Sequence, residues 1–408
     1  MTVDTTFPIL SIIVPTKNRH YYLEYLVNYF HDLDCREVQL VIQDNSDDNE
    51  AQKKFFNSLQ NLNDDRIIYN YVKESISVID NSDLALSQAT GEYVTFIGDD
   101  DIFSKYIIDL VKEIRSKNID SVLPLKGSYS WPDIKSRLYG NKLSGKFTQT
   151  SVSGKITEIK PREEMDKLLK CGGTDILDLP RVYHGIVKLS VLKEIKESTG
   201  SFFPGPSPDM ANAVALGINV RNHILIDIPY VISGHSKSSG GGMGASGRHI
   251  GEISNFKHLP KDTADNWSKE VPFYWSGYTI YAESMLQALK RLRKKDLLKK
   301  INYNYLYAMC LVFDTPYKDR IKSTIAKESE SNPDISGFKI KLYYFQAWKD
   351  RIIFHLRKNL RYILPESKET GVYELSDTFE VAELNDEQIL EFYNKNGKQY
   401  LNNNLPKF

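Results

Sequence analysis

Apolar runs alternate with helically spaced segments through the first hundred residues, and that alternation restricts the fold more than any other feature of the chain. Leu10-Ser11-Ile12-Ile13-Val14-Pro15 reads as a buried strand. From Tyr21 to His31 the residues Tyr22, Leu23, Leu26, Val27 and Phe30 recur at helical spacing. The same reading predicts strands over Val38–Ile42, Ile67–Val72 and Tyr93–Ile97, separated and followed by helices over Glu50–Leu59, Ser82–Gln88 and Lys105–Arg115. Near-continuous apolar strands joined by helices build a mostly parallel α/β sheet covered on both faces. Ligands of such sheets bind beyond the carboxyl ends of the strands. Pro15-Thr16-Lys17-Asn18-Arg19, Asp44-Asn45-Ser46 and Asp99-Asp100-Asp101 stand at those ends, so three polar clusters converge on one edge.

The acid triplet carries chemistry. Three consecutive carboxylates repel one another unless a cation sits among them, and Mg²⁺ or Mn²⁺ commonly bridges protein carboxylates to phosphate. A solvated acidic turn is the competing reading; the other two clusters at the same edge favour the cation.

Further along, residues 121–183 weaken into short strands and polar loops. Phe202-Phe203-Pro204-Gly205-Pro206-Ser207-Pro208 is a stiff approach that places Asp209 in the first turn of a helix running to about Leu216. A strand follows over Val220–Ile228, then Ser233–Gly244, whose glycines and serines read as too flexible for a core. Past Lys261 the pattern turns helical, over Tyr274–Arg293, Asp296–Phe313 and Pro316–Lys327. The expected units are 1–258, an α/β domain; 259–330, helical; 331–365, a basic amphipathic segment; and 366–408, an acidic, partly mobile tail. Between Lys339 and Arg361 seven Lys/Arg face the single acid Asp350, whereas from Glu366 onward nine acids face four Lys. A basic amphipathic helix over 338–364 suits an anionic membrane surface; packing with a solvated basic face is the alternative.

Composition excludes several classes. Lys+Arg and Asp+Glu balance at 53 each and no recognition motif is present, so nucleic acid is not the expected partner. The three cysteines, Cys35, Cys171 and Cys310, are too scattered for a disulfide framework or a zinc site. No basic, apolar leader and no apolar run of about 20 residues occurs, so the expected location is the cytosol or the cytosolic face of a membrane.

Leu10–Arg19, the strand ending at Asp44, the run Asn81 to Glu92 with Gly91-Glu92-Tyr93, and Asp99–Asp101 together resemble family 2 glycosyltransferases of the GT-A fold, over roughly the first 250 residues. Gly98 departs from the pattern, standing where many relatives carry the first acid. The resemblance implies that Pro15, Thr16, Asn18 and Arg19 line a nucleotide pocket with Asn81. It implies that Asp44 accepts a hydrogen bond from uracil N3–H, against a helix-capping role for the same residue. Asp99 would touch ribose or the metal's water shell, Asp101 would ligate Mn²⁺ or Mg²⁺ directly, and Asp100 would lie beside them. His235 would be a late metal ligand or diphosphate contact. Lys237 and Arg248, beside glycines that permit close backbone approach, are candidates to hold phosphate, against a plain flexible linker. Asp209 would be the general base of an inverting transfer, against an ordinary helix-dipole role. His184 and Asp175 are weaker candidates for touching the acceptor. The implied partners are a nucleotide-sugar donor, UDP-linked, and a glycan or lipid-linked acceptor of bacterial surface-polysaccharide assembly. A nucleotidyltransferase would show a glycine-rich phosphate loop after the first strand, which Pro15–Arg19 lacks; a non-catalytic nucleotide-sugar scaffold is the other rival. A dehydrogenase is disfavoured, because no Gly-x-Gly-x-x-Gly follows that strand.

Overall fold

A computed structural model describes residues 8–134, 143–237, 239, 250–360 and 369–408. The predicted alternation is present as β1 (Leu10–Thr16), α1 (His20–His31), β2 (Val38–Asp44), α2 (Asn49–Leu62), β3 (Ile67–Tyr71), α3 (Val78–Ser87), β4 (Tyr93–Phe96), the short β5 (Ile102–Phe103) and α4 (Ile107–Ser116). Helix starts follow local chemistry. Asp48 accepts from the backbone N–H of Glu50 and Ala51 at the head of α2, and Ser77 with Asp80 forms a reciprocal capping box on α3.

Beyond them come β6 (Ser121–Ser130), β7 (Lys146–Thr150), β8 (Ile156–Ile159), α5 (Pro161–Lys170), β9 (Ile186–Lys188), α6 (Leu189–Thr199), α7 (Pro208–Asn219), β10 (His223–His235) and β11 (Glu369–Glu374). Among the described residues the sheet runs β11-β7-β6-β9-β4-β1-β2-β3, with β10 pairing β5, β6 and β8. β4, β1, β2 and β3 are mutually parallel, and β9 enters antiparallel between β4 and β6. Thr16 lies level with Asp44 in the β1–β2 register, so the ends of both strands open at the same height. Gly91 permits the tight approach of β4 to β1, because a Cβ there would lie 2.6 Å from the Ser11 backbone nitrogen.

The second half differs from the sequence reading in three places. The strand expected over Val220–Ile228 runs on to His235, so Ser233–His235 are ladder residues rather than a loose linker. Its register against β6 shifts between Ile226 and Val231, where Pro229 has no N–H to give the ladder. The single helix expected over Asp296–Phe313 is two, Lys295–Leu298 and Tyr303–Phe313, the second headed by Asn302, whose side chain accepts from Tyr305 N–H.

The acidic C-terminal stretch is docked rather than loose. β11 extends the sheet edge beside β7, and the helix Thr378–Asn396 buries Val381, Ala382, Ile389, Phe392 and Tyr393 in the same core as β1 and β2. Net charge hid an apolar stripe at helical spacing. The helices Gly277–Arg291, Tyr303–Phe313 and Gly337–Leu360 share a second core with Met165 and Leu168 of α5 and Met210 and Val214 of α7, so the helical layer is welded to the α/β unit.

Candidate active site

The loop after β4 turns Asp99, Asp100 and Asp101 in three directions, and the fold supplies each with its own partner. Asp99 accepts from Thr16 Oγ1 at 2.6 Å and lies 2.9 Å from Arg19 Nη1. Asp100 lies 2.6 Å from Arg19 Nη2 and accepts from Ser236 N–H and Oγ at 3.0 and 2.6 Å. Asp101 accepts from Gly98 N–H at 2.6 Å and Gly234 N–H at 2.7 Å, with His184 Nε2 2.7 Å away. The cation that settles the triplet's repulsion is therefore the Arg19 guanidinium, lodged between two acids and aided by cation–π contact with Tyr22. Burial opposes the charge on Arg19, but the facing acids outweigh it and raise its pKa. Burial pushes Asp99 up to about 7 despite Arg19; burial also pushes on Asp101, but His184 and two backbone N–H groups hold it low.

Strand β10 closes this arrangement from above. Gly234 lies so near the Asp100 carbonyl that a Cβ would sit 1.7 Å from its oxygen. Trp131 Nε1 donates to the same carbonyl at 2.9 Å. Gly98 is confined too: a Cβ there would meet Asp100 Oδ1 and Asp101 Oδ2 at 3.1 Å.

A cavity of about 680 Å³ opens below, lined by Pro15, Arg19, Asp100, His184, His235 and Asp209, with Lys126, Arg181, Tyr281 and Trp275 among its further walls. Asp209 enters from the first turn of α7, as the proline-rich approach implies. No described residue donates a hydrogen bond to its carboxylate. Burial raises its pKa, against the pull of His184, Arg181 and Lys126. Lys126 and Arg181 form no ion pair within 4.0 Å among the described residues, and burial lowers the pKa of each. Sequence reading passed over both, because they sit in the weakly patterned stretch before Tyr183 and carry no motif.

The expected residues separate into those that face this cavity and those that do not. Thr16 and Asn18 act on protein: Asn18 adopts a φ of 59°, donates its N–H to Ser46 Oγ and grips Asp47 through its side-chain amide. Asp44 is fully buried and accepts from His20, Ser46 N–H and Tyr69; burial would raise its carboxyl, but those bonds prevail and lower it. Asp44 does not cap α2, since Asp48 does. Asn81 is buried within α3 with its Oδ1 unpartnered. Lys237 is exposed beyond β10, Asp175 is exposed and caps a turn at Leu177, and Arg248 lies outside the described residues. His184, a weaker candidate for acceptor contact, is instead the partner of Asp101, stacked on Tyr183 with ring centroids 3.9 Å apart.

For a divalent cation the acids fit differently from expectation. Among the described residues no group of three or more His, Cys, Asp or Glu is placed to hold a metal ion. Of the expected ligands, Asp101 gives both oxygens to protein donors, while Asp99 accepts from Thr16 on Oδ2 and its Oδ1 faces Arg19 without a hydrogen bond. Asp100 keeps Oδ1 without a hydrogen bond among the described residues, and His235 faces the same cavity with burial favouring its neutral, ligating form. Two protein donors completed by substrate phosphate oxygens suit Mg²⁺ or Mn²⁺. Of the triplet, Asp100 and not Asp101 lines the cavity.

Residues 11–167, a stretch that holds the whole acidic cluster, match the model of glycosyl transferase family 2. A Campylobacter jejuni GalNAc(5)-diNAcBac-PP-undecaprenol β-1,3-glucosyltransferase is 36% identical over 98 residues, which is 23% of this chain and 30% of that protein. The chain therefore spans under a third of that relative's length. Among solved structures, S. aureus TarS 1-349 in complex with UDP-GlcNAc is 15% identical with a TM-score of 0.46, covering 79% of this chain and 91% of that one. The mannosyltransferase PcManGT from Pyrobaculum calidifontis, in complex with GDP-Man and Mn²⁺, is 13% identical with a TM-score of 0.40, covering 96% and 89%. Likeness at that level carries no argument about donor or metal.

Proposed function

We propose that this protein is an inverting glycosyltransferase that moves a sugar from a nucleotide donor, UDP-linked, to a hydroxyl of a glycan or lipid-linked acceptor. One observation carries the reading: a carboxylate with no hydrogen-bond partner among the described residues, Asp209, faces the same cavity as Asp100 and Arg19. An acceptor hydroxyl is a weak nucleophile at neutral pH, and a carboxylate raised by burial is suited to take its proton. The acceptor oxygen attacks the anomeric carbon, the bond from that carbon to the diphosphate breaks with its electron pair leaving on phosphate, and the proton passes to Asp209. Lys126 and Arg181 supply positive charge in the same cavity, where a departing diphosphate gains from it most. Asp100 and His235 are the residues that would hold Mn²⁺ or Mg²⁺, which would neutralise diphosphate charge. The acceptor class draws on the Campylobacter relative, whose name records an undecaprenol diphosphate-linked saccharide.

The test is Asp209→Asn, which keeps shape and removes the base. A panel of UDP-, GDP-, CMP- and dTDP-sugars should give one donor that raises thermal stability equally in wild type and variant. Transfer, read as nucleoside diphosphate release with acceptor present, should fall by about 10²–10⁴-fold. A variant that transfers at near wild-type rate removes Asp209 as base. A wild-type protein that binds a donor and never releases nucleotide is a scaffold.

A further inference from the structure

The helix Gly337–Leu360 has two apolar faces among its described side chains, and the described residues pack on only one. Ile340 and Ala347 are buried and Tyr343 and Tyr344 half-buried against the helical core, while Arg351 anchors that side by donating to the Val312 carbonyl at 2.6 Å. The opposite side carries Phe338, Leu342, Phe345 and Ile352, which are 78, 60, 71 and 52% exposed. At roughly 100° per residue these four fall within one narrow stripe. Lys349 lies in the stripe, and Lys341 and Lys339 flank it on either side, all exposed. In sequence the helix carries one acid, Asp350.

We infer that this face docks on an anionic lipid bilayer surface. Large apolar side chains facing water gain free energy when something covers them, and two phenylalanines in one stripe are a large uncovered load. The lysines decide what covers it. They place positive charge at the depth of lipid phosphates while the aromatic rings enter the acyl boundary. A second copy of the chain docking by the same face would bring the lysines of both copies together, which like-charge repulsion opposes. The surface also has a use. The helix packs on Tyr303–Phe313, which packs on Gly277–Arg291, and Gly277, Ile280 and Tyr281 of that helix line the cavity, so a docked molecule holds its cavity near the bilayer. The inference stands on the helix alone and does not depend on the transfer reaction.

Flotation of the full chain with vesicles tests it. The protein should float with phosphatidylglycerol/phosphatidylcholine vesicles, stay behind with phosphatidylcholine alone, and lose binding as salt is raised. The double variant Phe338→Ser, Phe345→Ser should lower partitioning by roughly tenfold or more, and Lys341→Glu, Lys349→Glu should abolish the preference for anionic lipid. Because all four positions are exposed, thermal midpoints should match wild type; if the serine variant does unfold, the charge-reversal variant alone decides. Wild-type protein that ignores anionic vesicles overturns the inference, as does equal binding by the variants. A concentration-dependent dimer in sedimentation that the serine variant abolishes would make a second copy the occupant and would overturn it too.

Discussion

Replacing Arg19 by Met tests whether a protein cation, rather than an ion from solution, holds the acid triplet together. The substitution keeps most of the side-chain stem against Tyr22 while deleting the charge between Asp99 and Asp100. Both acid side chains are almost wholly buried, at 2 and 4% exposure, and the guanidinium contacts are 2.9 and 2.6 Å. At an effective dielectric near 20, each such contact is worth about 4 kcal/mol of gross attraction. Desolvating the guanidinium offsets part of the sum, and breaking a buried pair by removing one partner typically costs about 3–5 kcal/mol net. Urea unfolding followed by tryptophan fluorescence suits the measurement, since Trp131 donates to the Asp100 carbonyl and senses the loop directly. The variant should lose about 3–5 kcal/mol, and millimolar Mn²⁺ should recover part of that loss while acting less on wild type. A loss below about 1 kcal/mol would class the pair with exposed ion pairs and refute the reasoning.

Gly234→Ala should disrupt the site from above, because its Cβ would fall 1.7 Å from the Asp100 carbonyl oxygen; a cost of about 1–3 kcal/mol or more is expected in the same urea assay, and a neutral result would mean β10 does not seat on the acid loop. Asp386 on the C-terminal helix accepts from Ser104 and Tyr29, and burial pushes its carboxyl up to about 6. A folded pKa above the unfolded value of about 3.9 means that stability falls as pH rises through that interval. Asp386→Asn should therefore be more stable than wild type by roughly 2–3 kcal/mol above pH 6 and equal to it near pH 4; parallel pH profiles for the two proteins would contradict this.

Much of the fold was legible because its signals are local. Strands β1 to β4 announce themselves as apolar runs, and their carboxyl ends follow from the parallel arrangement, so Arg19, Asp44 and Asp99–Asp101 could be placed at one edge from sequence, with Asp209 added only by the family resemblance. What failed were inferences from charge and flexibility. Ser233–Gly234–His235 looked like linker because glycine and serine dominate, yet Gly234 is there to let β10 pass over Asp100. The tail looked loose because acids outnumber lysines, although Val381, Ala382, Ile389 and Phe392 recur at core spacing. Lys126 and Arg181 carried no signal, since a lone cation in an irregular stretch is indistinguishable from surface charge until its neighbours are known.

The amino-acid sequence alone determined the α/β order, the edge where polar residues gather and the family pattern within it, since each depends on periodicity and on residues close along the chain. Only the tertiary structure decided how the acids are shared out. Arg19 comes to Asp99 and Asp100 from the head of α1, Gly234 of β10 and Ser236 just beyond it reach Asp101 and Asp100, and His184 arrives from the loop before β9. Partners so distant in sequence leave no local trace. Which carboxylate is neutralised and which is left to face the cavity is therefore set by packing.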